Sequence, residues 1–298
     1  MVTGEFALKI GYNTNGFPHH RLEDALRILA DLGYQSVALT LDYRALDPFD
    51  ADLPRQLPKV QVLLDRLQLR CVVETGARFL LDPWRKHQPT LLSREPEERA
   101  RRLDFLMRSI AVAHELQADA VSFWSGTPLA SEPDAGLWER LVSGCRSLAD
   151  AAAAKNIVLA FEPEPGMFID TLAKFNELYE AVHHPAFGLT IDIGHLHCMG
   201  ELPIADHVRA WRHCLRNIHT EDMRRGVHEH LMFGEGEIDF EPIFAALREV
   251  YNGGVHVELS RHGHDAVQTA RRAREFLGKW MLPWSSHNSA KMIDAKKD

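Results

Sequence analysis

Long apolar runs are missing from this sequence: none approaches the roughly 18 residues that a bilayer span requires. Its first ten residues, MVTGEFALKI, contain no basic segment followed by an apolar one, as a secretory signal would. Cysteine is also scarce, with 4 residues and no CxxC pair, so we expect reduced structural thiols. Together these absences predict a soluble, cytoplasmic protein with no membrane partner.

Several motifs and charge patterns are absent too. The chain has no block of five or more like charges, and its net charge is -8, so we expect no nucleic-acid partner. Ser125 lies in WSGT, without the GxSxG turn of a serine hydrolase. His228 and His230 are two residues apart and do not form an HExxH zinc motif. Duplex binding and these two hydrolase chemistries are therefore disfavoured.

Short apolar runs alternate with segments of helical periodicity along the whole chain. Predicted strands lie at 8–12, 36–41, 69–74, 118–124, 157–162, 187–192, 215–221 and 253–260. Predicted helices lie at 21–33, 57–67, 95–116, 137–155, 170–182, 205–215, 239–251 and 266–281, with Asp170 and Asp239 as expected N-caps.

The number of these strand–helix units predicts an α/β protein, a single (β/α)8 TIM barrel spanning residues 1–284, with a mobile tail at 285–298. A doubly wound open sheet is the alternative. It would require a GxGxxG turn after the first strand, where this chain has GYNTNG.

Four consecutive predicted strands end in polar residues that suit a metal ion. They are Glu162, Asp192, His219 and Glu258. Parallel strands of a barrel end at one face and lie about 4.8 Å apart, so three carboxylates there would repel one another without a cation between them. The oxygen-rich set favours manganese, with magnesium, cobalt or zinc as alternatives. Separate roles as caps or ion-pair partners are the other interpretation.

The segments FEPEPG, TIDIGH, NIHTED, HLMFGEGEIDF and VHVELS, in this order and spacing, resemble the xylose isomerase-like TIM-barrel superfamily. This group includes ketose 3-epimerases, sugar phosphate isomerases and epimerases, and AP endonuclease type 2 proteins. The resemblance implies that Glu162, Asp192, His219 and Glu258 bind the metal. It also implies that Glu162 and Glu258 are the catalytic acid–base pair.

The resemblance assigns further residues to substrate binding. His195 matches a histidine that contacts substrate oxygens, and Arg224 lies where a substrate-binding arginine is expected, although Arg225 fits equally well. His228 and His230 lie near the positions that bind an additional zinc in the endonuclease branch, which implies a second metal there. His230 is also a candidate substrate contact.

Two further residues are candidates for the substrate site. Trp124, at the end of the fourth strand, is either an apolar wall for a sugar or a core aromatic. Glu164 either binds a substrate hydroxyl or is solvated.

The expected function is a divalent-metal-dependent sugar isomerase or epimerase, which moves a proton next to a carbonyl through a metal-bound enediolate. A metal-dependent dehydratase on a related polyol or keto substrate is an alternative, as is a sugar-binding barrel without activity. An AP-endonuclease-like phosphodiesterase is disfavoured, because the chain has Glu74 and Trp124 near the places where histidines are required. We expect a small sugar or polyol as partner, and leave open its phosphorylation and whether the chain forms a homo-oligomer.

Overall fold

The computed structural model describes residues 8–128 and 133–280. The strands are β1 Lys9–Asn13, β2 Ser36–Thr40, β3 Arg70–Glu74, β4 Val121–Phe123, β5 Leu159–Phe161, β6 Phe187–Asp192, β7 Leu215–Thr220, β8 Asp222–Arg224, β9 Val227–Leu231 and β10 Gly254–Val257. All but β8 and β9 form a closed parallel barrel in the order β1-β10-β7-β6-β5-β4-β3-β2. The predicted tail at 285–298 lies outside the described residues.

Helices stand between successive barrel strands. They are α1 Leu22–Asp31, α2 Leu53–Leu67, α3 Pro96–Glu115, α4 Asp134–Ala154, α5 Leu172–Val182, α6 Ile193–Met199, α7 Ile204–Ala210, α8 Phe240–Val250 and α9 Ala266–Gly278. The predicted (β/α)8 barrel is therefore confirmed. Within the described ranges, no helix combines the length and the apolar character that a membrane crossing needs.

The connections around β7 differ from the prediction. The helix predicted over 205–215 ends as α7 at Ala210, and the preceding α6 was not predicted. Helix α6 begins directly after β6 because the Asp192 carboxylate accepts a hydrogen bond from His195 N at 2.7 Å and caps it. The antiparallel hairpin β8–β9 was also missed. Helix α6 and the hairpin pack against each other at the end of the barrel where β6 terminates.

One of the two predicted N-caps is wrong. Helix α5 is capped by Thr171, whose side chain accepts from Lys174 N at 3.3 Å. Asp170 instead forms an ion pair with Lys174 Nζ at 2.9 Å. Asp239 does cap α8, with its side chain accepting from Glu241 N.

Aromatic packing sets the direction in which β5 presents its side chains. The ring of Phe161 stacks on Phe175 of α5 at a centroid distance of 6.0 Å, so Phe161 faces the helical layer. Side chains alternate along a strand, and Ala160 accordingly packs in the barrel interior with Val72 and Ala120. By the same alternation Glu162 points toward the barrel axis.

The barrel interior is unusually polar. Ser122 and Thr190 hydrogen-bond across it at 3.2 Å, and the fully buried Asn217 and His256 face each other there. Such interiors are more often filled with bulky branched apolar residues. All four cysteines are buried free thiols, as expected.

Candidate active site

The four strand-end side chains predicted to bind metal converge at one end of the barrel. Glu162, Asp192, His219 and Glu258 each offer a ligand atom, and these atoms all lie within 4.8 Å of one another. His219 Nδ1 lies 3.0 Å from Glu162 Oε1 and 3.2 Å from Glu258 Oε2. Within the described residues, Asp192 Oδ2 has no hydrogen-bond partner.

Burial and mutual charge shift the pKa values of this group. Burial raises the pKa of Glu162 to about 7, although His219 opposes the rise. Burial also acts to raise the pKa of Asp192, but His195 and other nearby histidines outweigh it and bring the pKa to about 2. Burial lowers the pKa of His219, but the charges of Glu162 and Glu74 raise it by more. The pKa of His219 therefore lies well above its usual range.

This chemistry fits a divalent cation. Three carboxylates surround one imidazole, and the imidazole balances their charge only by taking up a proton. A divalent ion would replace that proton, and Asp192 Oδ2, which has no hydrogen bond in the described residues, would be available to bind it. Carboxylate oxygens with a single histidine are donors that manganese and magnesium accept.

A cavity of about 240 Å³ opens above this group, and most of the residues that line it are polar. Trp124, Glu164, His195 and His230, the sequence candidates for substrate contacts, line it. Trp124 is buried and has the Arg102 guanidinium 4.4 Å from its ring centroid, so one face packs on the protein.

Arg224 does not line the cavity. It is exposed, and its Nη2 donates to the backbone oxygen of Glu235 at 3.0 Å. The reason is that Arg224 is the last residue of β8, a strand that lies outside the barrel and that the sequence did not predict. Arg261, from the loop after β10, is an arginine that does line the cavity.

Three histidines form a second cluster beside the cavity. His195, His228 and His230 place ring nitrogens within 4.8 Å of one another. The Nε2 atoms of His195 and His228 are 3.1 Å apart, and His230 Nδ1 lies 3.2 Å from the Glu258 backbone oxygen. Because hairpin β8–β9 supplies two of these side chains, the cluster exists only in the folded barrel.

Several site residues were missed by sequence reasoning. Glu74 at the end of β3 places Oε1 2.9 Å from His219 Nε2, and the Asn15 amide donates to Glu258 Oε1 at 2.8 Å. Glu221 is fully buried, and neither of its carboxylate oxygens has a hydrogen-bond partner in the described part of the chain. Its position as the last residue of a predicted strand is the sequence feature that could have identified Glu74 as a site residue.

The loop after the hairpin, which contains MFGEGEID, is organised by Asp222. The Asp222 carboxylate accepts hydrogen bonds from Gly234 N at 2.8 Å and from Ile238 N at 3.1 Å. A Cβ at Gly236 would lie 2.2 Å from Asp222 Oδ1, so glycine is needed for this close approach. The glycine at position 236 of this motif therefore has a structural explanation.

Comparison with known proteins gives a consistent result. A family model described as a xylose isomerase-like TIM barrel matches residues 26–280. The inosose dehydratase of Lacticaseibacillus casei is 28% identical over 170 residues, covering 50% of this chain and 57% of the dehydratase. The chain thus matches little more than half the length of that relative.

Two epimerases match over more of their length. The L-ribulose-5-phosphate 3-epimerase of Escherichia coli is 23% identical over 259 residues, covering 85% of this chain and 88% of the epimerase. The crystal structure of D-allulose 3-epimerase from Methylomonas sp. has a TM-score of 0.71 at 20% identity, covering 93% of this chain and 99% of that one. The family match over residues 26–280 and the closed barrel show that this chain belongs to the xylose isomerase-like TIM-barrel family.

Proposed function

We propose that this protein is a divalent-metal-dependent ketose epimerase or isomerase that transfers a proton at the carbon next to a carbonyl. The observation that supports this most is the placement of two glutamates about one imidazole nitrogen. Glu162 Oε1 and Glu258 Oε2 lie 3.0 and 3.2 Å from His219 Nδ1, next to Asp192 and beneath a polar cavity. The epimerase relatives are named for the ketoses L-ribulose 5-phosphate and D-allulose.

The ion would be held by Glu162, Asp192, His219 and Glu258, with manganese as the first choice. When bound, it would supply Lewis-acid stabilisation of negative charge on the substrate oxygens, worth several kcal/mol. The four side chains come from the ends of four adjacent strands, so the barrel holds them in place before any ligand arrives.

Glu162 and Glu258 would move the protons. One carboxylate removes the proton from the carbon next to the ketone, and the other, in its acid form, returns a proton to the opposite face. Each such group contributes about 10²–10⁴ in rate. The carboxyl group that returns the proton exchanges its own proton with water between turnovers, so the product should acquire solvent hydrogen at that carbon.

Other cavity residues would bind and orient the sugar. Trp124 provides an apolar wall, while Glu164, His195 and His230 present polar atoms to hydroxyl groups. A cavity of about 240 Å³ with polar walls suits a small, hydroxyl-rich molecule. His195, His228 and His230 would also hold a second divalent ion, since their ring nitrogens lie within 4.8 Å of one another, and metal analysis would detect it as a second equivalent.

The test is an exchange experiment with the purified protein loaded with Mn²⁺. A panel of ketoses and ketose phosphates is incubated in D₂O and followed by NMR and mass spectrometry. We expect one substrate to gain a single deuterium at the carbon next to the carbonyl and to form its epimer or isomer. Glu162→Gln and Glu258→Gln should abolish the exchange, and Arg224→Ala should retain it. A protein that binds no divalent ion, or that never exchanges a substrate proton, would contradict the proposal.

A dehydratase is the second candidate, because an inosose dehydratase is among the relatives. Both reactions begin with proton removal next to a carbonyl, but a dehydratase then expels the β-hydroxyl as water. A panel that includes inososes separates the two, since only dehydration lowers the product mass by one water. A phosphodiesterase would instead cleave DNA that contains abasic sites, and we expect no such cleavage.

A further inference from the structure

We propose that Glu74 is a positioning residue that holds His219 with its proton on Nε2, so that Nδ1 faces Glu162 and Glu258 as a ligand. This inference rests on the proposed metal site and not on the identity of the substrate. It goes beyond the ligand group, because Glu74 lies on the far side of the imidazole.

The His219 ring is held from both edges. Nδ1 faces Glu162 Oε1 at 3.0 Å, whereas Nε2 faces Glu74 Oε1 at 2.9 Å and Asn217 Nδ2 at 3.1 Å. A carboxylate only accepts hydrogen bonds, so the nitrogen next to Glu74 must donate. Nδ1 also faces a carboxylate, so without an ion both ring nitrogens carry a proton. A divalent ion at Nδ1 would displace the proton there, and the remaining proton on Nε2 would donate to Glu74.

A chain of buried hydrogen bonds orients Glu74 in turn. Asn217 Nδ2 donates to Glu74 Oε1 at 3.2 Å, and Asn217 Oδ1 accepts from His256 Nδ1 at 3.0 Å. His256 Nε2 lies 2.8 Å from Ser36 Oγ. This chain fixes the orientation of the Asn217 amide, because a flipped amide would place its oxygen against the Glu74 carboxylate.

The barrel makes room for this chain at specific positions. A Cβ at Gly11 would lie 2.2 Å from His256 Cδ2, and one at Gly254 would lie 2.6 Å from His256 Cε1. His256 and Asn217 are 0% exposed, and Glu74 is 7% exposed. Hydrogen bonds are strong in such a shielded environment, and a group left without its partner there is costly.

The consequence is a carboxylate–histidine–metal arrangement. A carboxylate that accepts from the far nitrogen of a ligand histidine fixes its tautomer and raises its basicity, and loss of such a partner typically lowers metal affinity about 10- to 100-fold. Glu74 would have this effect on His219 from the end of β3, although it does not belong to the group of four proposed ligands.

The first experiment measures the tautomer. Long-range proton–nitrogen NMR on ¹⁵N-histidine-labelled protein, with and without Zn²⁺, should show a protected proton on His219 Nε2, identified by its absence in His219→Gln. In Glu74→Ala this proton should exchange rapidly. In Glu74→Gln it should persist, because the amide oxygen still accepts. A proton found only on Nδ1 in the wild-type protein would overturn the proposal.

The second experiment measures Zn²⁺ and Mn²⁺ affinity by competition with a chelator. We expect about a 10- to 100-fold loss for Glu74→Ala and a smaller loss for Glu74→Gln. Glu201→Ala is the matched control, since Glu201 accepts from Leu172 N at 2.9 Å away from the barrel interior. Wild-type affinity in a folded Glu74→Ala protein would overturn the proposal. If Glu74→Ala does not fold, the Glu74→Gln measurements and the wild-type tautomer decide.

These readouts need no substrate. Failure to find an epimerised ketose would contradict the proposed function and leave the tautomer and affinity results standing. Conversely, an active enzyme whose His219 proton is insensitive to Glu74 would refute only the present inference.

Discussion

Asn15 and Glu258 are 243 positions apart in the chain, yet the Asn15 side-chain amide donates to Glu258 Oε1 at 2.8 Å. The contact forms because β1 pairs with β10, which closes the barrel and brings the first and last strand ends together. Asn15 follows β1 in a short 3-10 turn and lines the cavity beside the proposed proton-transfer group.

Replacing Asn15 should lower catalytic efficiency. Asn15→Ala removes a hydrogen bond to a charged carboxylate, which is worth about 1.5–3 kcal/mol, so kcat/KM should fall roughly 10- to 100-fold. Steady-state kinetics on the substrate found by deuterium exchange measures this. Asn252→Ala, at an exposed asparagine, is the control and should behave as wild type. An unchanged kcat/KM in Asn15→Ala would show that Glu258 does not depend on this donor.

Adding a divalent ion should stabilise the fold. An ion that binds only the native state contributes about 2.7 kcal/mol at a concentration 100-fold above its Kd, so Tm should rise with Mn²⁺ concentration. Differential scanning calorimetry measures the rise. Asp192→Asn should reduce it strongly, whereas Glu164→Gln should retain it, since Glu164 lies outside the group of four. Equal responses of these two variants would argue against the ligand assignment.

Arg261, and not Arg224, should influence substrate binding. Arg261 lines the cavity and pairs with Glu229 Oε1 at 3.1 Å, whereas Arg224 is exposed away from it. For such an exposed charge an effect of about 1 kcal/mol is expected, so Arg261→Ala should raise KM several-fold with little change in kcat. Arg224→Ala is the matched variant and should leave KM unchanged. The reverse pattern would restore the role that the family resemblance implied for Arg224.

Stability should fall in mild acid because of His87. Burial lowers the pKa of His87 from 6.5 to about 4, so the unfolded chain binds more protons between these values. The free energy of unfolding should therefore decrease as pH falls from about 6.5 to about 4, by at most about 3 kcal/mol from this residue. Urea denaturation at several pH values measures the slope. His87→Gln should flatten it, and the exposed His264→Gln should not.

Gly11 should be intolerant of a side chain. Gly11→Ala places a Cβ 2.2 Å from the buried His256 ring, and such overpacking typically costs about 1–3 kcal/mol. Gly136→Ala, in α4, is the contrasting change, because no described atom lies within 4 Å of the point that its Cβ would occupy and alanine favours a helix by about 0.5–1 kcal/mol. Opposite signs in denaturant unfolding are expected. Equal effects would mean that His256 moves freely inside the barrel.

Local patterns were sufficient to predict the barrel and the group of four strand-end residues. Strand and helix periodicities are local properties, and all parallel strands of a barrel end at one face. Glu162, Asp192, His219 and Glu258 could therefore be grouped without coordinates. The N-cap of α5 failed for a local reason as well, because Asp170 and Thr171 are adjacent and both can cap a helix.

The sequence by itself determined the architecture and the residues at the strand ends, because alternation and periodicity are encoded within short segments. Only the tertiary structure decided that Glu74 meets His219 across 145 positions, that Asn15 meets Glu258, and that Arg261 replaces Arg224 in the cavity wall. Contacts between distant residues depend on barrel closure and loop direction, and no local pattern specifies either one.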